Sequence, residues 1–199
     1  MPAEAFEEVL PGRLASGEVV RITPAVANTR FELGYEASQS GVALEARAIW
    51  LNVPPECVWE QVAAIGGKNG WYYADWAWTV RGWLDWLLRG IGNRRERRQA
   101  LAVGDRLDTW VVERHEPGRD LTLRSEMRLP KLARMGLHVR PRGSGSVLVQ
   151  WVEFHPNLLT WLYWWATYPI HRLIFRGLVR AIARRAEAST PGASVHIRP

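Results

Sequence analysis

DRLDTWVVERHEPGRDLTLRSEMRLPKLARMGLHVRPRGSGSVLVQWVEF, residues 105–154, is a series of strand-forming segments broken by turn residues. Asp105–Arg114, Leu121–Leu129, Lys131–Arg140 and Val147–Phe154 are separated by Glu116-Pro117-Gly118, by Pro130 and by Gly143-Ser144-Gly145. Turns at such short intervals join neighbouring strands as hairpins, so the spacing predicts an antiparallel sheet. Successive strand residues point to opposite faces. Alternation therefore sets Leu121, Leu123 and Met127 on one side and Thr122, Arg124, Glu126 and Arg128 on the other, with Glu126 in solvent. By the same parity Met135, Leu137 and Val139 face the core, whereas Arg134, His138 and Arg140 face water, which makes His138 a poor catalyst.

Working outward, the chain after Pro156 reads as helix to about Glu187, with Pro169 expected to kink or divide it. Ile174, Leu178 and Ile182 line one face of that helix, and Arg172, Arg176, Arg180 and Arg184 line another at four-residue spacing. On the N-terminal side, Leu44, Ala46, Ala48 and Trp50 alternate with Glu45 and Arg47, the period of a half-buried strand ending near Asn52. Pro54 and Pro55 suit a helix start, and Val58, Val62 and Ile65 recur on one face until Gly66 and Gly67. A second helical stretch, Trp71–Gly92, carries Trp76, Val80, Trp83, Leu87 and Ile91 on one face with Trp86 beside them. Arg94–Arg98 reads as a solvated charged loop. The resulting organisation is an extension over 1–41, one α+β domain over 42–188 in which the sheet closes over the C-terminal helix around an aromatic-lined cavity, and a flexible tail over 189–199.

A chain of 199 residues, 47% hydrophobic, is long enough to bury a core. Its formal charge of +6 is carried almost wholly by arginine, since Lys68 and Lys131 are its lysines. Solvated surface explains that charge better than a polyanion does, so no nucleic-acid partner is expected. The lone Cys57 excludes an internal disulfide, and the residues before Gly12 lack a signal peptide's apolar core, so a cytoplasmic location is expected. Leu158–Ile170 is too short to span a bilayer. Five histidines without ligand-like spacing predict no metal site, and no cofactor motif is present.

Ile65-Gly66-Gly67-Lys68-Asn69-Gly70-Trp71-Tyr72-Tyr73-Ala74-Asp75-Trp76, followed by Arg81-Gly82, resembles the signature of bacterial domain-of-unknown-function family 2867. Val103-Gly104-Asp105 with Asp108 and Trp110, Glu126-Met127-Arg128-Leu129-Pro130, Tyr168-Pro169 with His171, and Ile174-Phe175-Arg176-Gly177 resemble further pieces of that family. The resemblance spans about Val42–Glu187. It implies membership of the START or SRPBCC superfamily, also called birch-pollen-allergen-like or helix-grip, in which an antiparallel sheet wraps a long C-terminal helix.

Several residues are candidates for a site. Lys68, Asn69, Tyr72, Tyr73 and Asp75 place polar groups beside a tryptophan cluster, the mixture expected where an apolar pocket has a few orienting groups. Asp75 as a helix cap with packed tyrosines is the competing reading. Asp108 shares a strand face with Trp110 and Val112 and meets a ligand if that face is inward. The expected ligand-binding set is Asn69, Trp71, Tyr72, Trp76, Asp108, Trp110, Met127 and Trp151, around a small hydrophobic molecule such as a lipid, isoprenoid or polyketide-like compound. A cofactor-free cyclase, isomerase or dehydratase would use Asp75, Tyr73 and Lys68 as proton movers in the same cavity. A third reading is a peripheral membrane or interaction module, because tryptophans near arginines favour bilayer interfaces, although aromatic residues at helical spacing are more often core and core is the expectation for these.

Overall fold

The structure is a computed structural model that describes residues 32–39, 42–66, 69–87, 89, 101–127, 133–154 and 158–190. The chain order is β1 (Glu32–Gln39), β2 (Val42–Leu51), α1 (Pro55–Ala63), α2 (Asp75–Leu87), β3 (Arg106–Leu107), β4 (Trp110–Glu116), β5 (Asp120–Ser125), β6 (Arg134–Arg142), β7 (Gly145–Phe154) and α3 (Leu158–Ser189). All strand pairs are antiparallel, in one sheet ordered β1-β2-β7-β6-β5-β4-β3. Hairpins join β4 to β5 and β6 to β7, as the turn residues predict. The sheet grips the last helix, which is the expected α+β, helix-grip architecture.

Three expectations about elements are corrected. β1 falls within the stretch read as an extension, and pairing of Glu32 with Ile49 through Gln39 with Val42 makes it an edge strand. Asp105–Arg114 is not one strand, because Asp108 takes φ 58° and turns the chain between β3 and β4. Helix α3 runs as one element through Pro169 instead of dividing there. The turn at Pro130, the charged run 94–98 and the tail after Thr190 lie outside the described residues.

The face that meets the helices carries Ile49 and Leu51 of β2, Leu148 and Val152 of β7, Met135, Leu137 and Val139 of β6, and Leu121 and Leu123 of β5. Phe175, Leu178 and Ile182 of α3 pack on them, with Val58 and Val62 of α1 closing the same core. Each such side chain, fully buried, stabilises by roughly 1.5–3 kcal/mol. The ladder reverses one parity. Arg47 pairs with Gln150 and Ile49 with Leu148, so Glu45 and Arg47 point toward the helices while Ala46 and Ala48 point away.

The opposite face of the sheet is also buried, which corrects the assignment of His138 and Arg140 to water. Asp120, His138, Arg140 and Trp151 form one network there. Asp120 Oδ1 lies 2.5 Å from His138 Nδ1 and 2.8 Å from Arg140 Nη2, and Trp151 Nε1 donates to His138 Nε2 at 2.6 Å. These contacts satisfy groups that would otherwise be costly to desolvate. Glu126, expected in solvent, is half-buried beside Arg106 at 3.3 Å and Arg124 at 3.8 Å.

Candidate functional site

Helix α2 packs with its most apolar stripe outward. Trp76 is 70% exposed and Trp83 57%, and Val80, Trp86 and Leu87 are exposed with them. The buried face is the one carrying Trp78, Gly82 and Asp85. This corrects the expectation that Trp76, Val80 and Trp83 line the core. The physical reason lies in the neighbours: Trp78 stacks on Trp71 at 4.4 Å and meets Phe175 edge-on at 5.7 Å, a fixed aromatic layer that orients the helix.

Between α2 and α3 this packing leaves a pocket of about 210 Å³ lined by Trp76, Ala77, Trp78, Val80, Arg81, Thr167, Ile170, His171, Ile174 and Phe175. Its described wall is apolar apart from Arg81, His171 and Thr167. The volume lies below the usual range for drug-sized sites, so a compact group fits and a long chain would extend past the rim. Exposed Trp76, Val80 and Ile170 form that rim.

Arg81 reaches the pocket from α2. Its Nε donates to Met127 Sδ at 3.0 Å, and its guanidinium lies over the rings of Trp78 and Trp110, at 5.9 and 5.6 Å from their centroids. Among the described residues no carboxylate pairs with it. The Nε1 atoms of Trp78 and Trp110 are buried without a hydrogen-bond partner.

His171 enters from α3 and connects the pocket to the sheet. Its Nδ1 lies 3.3 Å from Glu45 Oε2, Glu45 Oε1 pairs with Arg47 Nη2, and Arg47 Nη1 donates to Gln150 Oε1 at 3.2 Å. Burial pushes the imidazole down to about 4 against the pull of Glu45, with Arg81 and Arg47 lowering it further, so the ring is neutral near pH 7. Burial acts to raise the Glu45 carboxyl, but the bond to His171 and the nearby Arg47 charge hold it below its ordinary value. Gln150 Nε2, fully buried, has no partner among the described residues.

The expected site residues separate into three groups. Trp76 lines the pocket, and Trp110 and Met127 stand behind it against Arg81. Trp71 and Asp108 form the next layer, where Trp71 Nε1 donates to Asp108 Oδ2 at 2.6 Å. Asp108 thus points inward, the alternative to solvent that its strand face left open, and its positive φ places it in a turn. Asn69, Tyr72, Tyr73 and Asp75 lie elsewhere. Asn69 Nδ2 donates to the Ala64 carbonyl at 2.9 Å, Tyr72 Oη to the Gln61 carbonyl at 3.0 Å, and the Tyr73 ring packs where Gly177 has no Cβ. Asp75 is exposed and accepts the Trp71 backbone N–H at 2.7 Å, a turn-closing contact outside the pocket lining. Trp151 lies on the far face of the sheet, because Gln150 and Val152 occupy the helix-facing parity. Lys68 lies outside the described residues.

Glu45, Arg47, Gln150, Arg81 and His171 were not among the sequence candidates. One signal was present: Glu45 and Arg47 share the parity of Ile49 and Leu51, which are core residues.

Among solved structures, protein Ms6760 from Mycobacterium smegmatis is 8% identical with a TM-score of 0.48, the match covering 79% of this chain and 98% of that one. CalU16 from Micromonospora echinospora is 14% identical with a TM-score of 0.38, over 81% and 96% of the two chains. Ara h 8.0201 is 12% identical with a TM-score of 0.43, over 74% and 99%. No curated protein matches the chain. The model of one family, described as a protein of unknown function (DUF2867), matches residues 42–178, a stretch that runs from the start of β2 to Leu178 within α3, and the chain therefore belongs to DUF2867.

Proposed function

We propose that the protein binds a small hydrophobic ligand in the pocket between α2 and α3. The observation that carries this reading is an apolar cavity whose rim is exposed tryptophan and aliphatic surface and whose lining includes only a few polar side chains. The test is titration with the neutral fluorophore N-phenyl-1-naphthylamine. Its emission rises on binding to the native protein, and Ile174→Trp, which fills the pocket from α3, removes the rise. An equal rise in a folded Ile174→Trp variant would place the ligand elsewhere.

A second reading is favoured by one observation, the outward stripe of α2. Trp76, Val80, Trp83, Trp86 and Leu87, with Ile170 and Leu173 of α3 nearby in sequence to exposed Arg172, offer apolar anchors beside positive charge. This is the composition that suits the surface of an anionic bilayer. Among the described residues no helix is long and apolar enough to cross a membrane. Flotation with vesicles containing phosphatidylglycerol should carry the protein upward, and Trp83→Ser with Trp86→Ser should release it. Failure to float, or flotation unaffected by the double substitution, would remove this reading.

A further inference from the structure

We infer that the pocket reads a carboxylate head group, and that the preferred ligand is an amphipathic monocarboxylic acid rather than a neutral apolar molecule. This rests on the pocket being the binding site. The described lining of the pocket contains Arg81 and the neutral His171 but no acidic side chain. The indoles of Trp78 and Trp110 flank the Arg81 guanidinium and bring it no counter-charge.

Arg81 itself is the second part of the case. An arginine inside an aromatic layer is ordinarily matched to an acid, because desolvating a cation is otherwise unfavourable. Here its Nε is spent on a thioether, a weak acceptor, and no described carboxylate pairs with the rest of the fork. Glu45, the acid on the neighbouring sheet wall, is engaged by Arg47 and His171. The pocket therefore presents one cation to whatever enters, with no acidic side chain in its described lining. A carboxylate accepts from the terminal nitrogens of a guanidinium with opposite charge, whereas an alcohol or ester brings no charge to the pair. The small volume fits this arrangement, with the head inside and the alkyl portion running out between Trp76, Val80 and Ile170.

The test is displacement of N-phenyl-1-naphthylamine from the full chain by decanoate and, separately, by 1-decanol. Decanoate should displace the fluorophore at a concentration about tenfold or more below that of decanol. Arg81→Gln should abolish that difference. Arg81→Lys keeps the charge and loses the planar fork, and should narrow the difference several-fold, which supplies a second test if Arg81→Gln fails to fold. Equal potency of the two probes, or an unaltered ratio in folded variants, overturns the head-group assignment and leaves the pocket standing. A neutral fluorophore that does not bind the native protein overturns both.

Discussion

At Gly136 a Cβ would meet the Trp151 indole and stand 2.6 Å from His138 Nε2, so the missing side chain is what lets Trp151 lie across β6 and donate to that histidine. Gly136→Ala should destabilise by about 1–3 kcal/mol through displacement of the ring and its bond. Urea unfolding checks this, and a cost below about 0.5 kcal/mol would mean that the network relaxes freely. Near the N-terminus of α2, Tyr72 and Ala74 adopt φ 62° and 52°, in the left-handed region that costs L-residues about 1–2 kcal/mol. Ala74→Gly relieves that strain but gains unfolded-chain entropy, so a net stabilisation of about 0.5–1 kcal/mol is expected from the same measurement. A loss of stability would show that the Ala74 methyl contributes packing. None of this was legible in the sequence, because Gly136 and Ala74 look like ordinary strand and loop residues until the ring or the φ angle is seen.

At the scale of elements, helix α2 departs most from its pattern. Periodicity recognises the helix and its Trp76, Val80, Trp83 stripe, but it contains no sign of which way the stripe turns. The stacking of Trp78 with Trp71 and Phe175 decides it, through residues far apart in sequence. Two substitutions on this helix should therefore behave unlike each other. Trp83→Ser, on the exposed stripe, should change stability by no more than about 0.5 kcal/mol. Trp78→Ala should cost about 3–5 kcal/mol by opening a cavity beside the core. Thermal unfolding of the two variants compares them, and equal effects would contradict the orientation of the helix. Strand β2 departs in part. Its alternation is legible and Ala46 and Ala48 are buried, but Glu45 and Arg47 are buried as well and turn toward the helices, where His171 and Gln150 offer them partners.

Across the whole molecule, the join between sheet and C-terminal helix is polar where Glu45 meets His171, and its stability should respond to acid. The buried imidazole, pushed down to about 4 from an ordinary 6.5, stays neutral in the native protein at pH values where the unfolded chain already takes up a proton. Stability is therefore complete above about pH 6.5 and falls as pH drops toward 4, by up to about 3 kcal/mol. Glu45 contributes stability above its unfolded value of 4.5 that is lost at lower pH, so its loss follows that of His171. Urea unfolding at pH 7, 6 and 5 measures this slope, and His171→Gln should flatten it. An unchanged slope in the variant would assign the acid sensitivity to other groups. The sequence by itself determined the antiparallel sheet, the long final helix and the family, because hairpin turns, strand alternation and helical spacing are local and repeat within a few residues. Tertiary structure alone decided the site. Which face of α2 is wet, which parity of β2 is inward, and whether Arg81 meets an acid all depend on elements separated by dozens of residues. The orientation of each element is set by the packing and hydrogen-bond partners it finds, and short-range spacing carries no record of them.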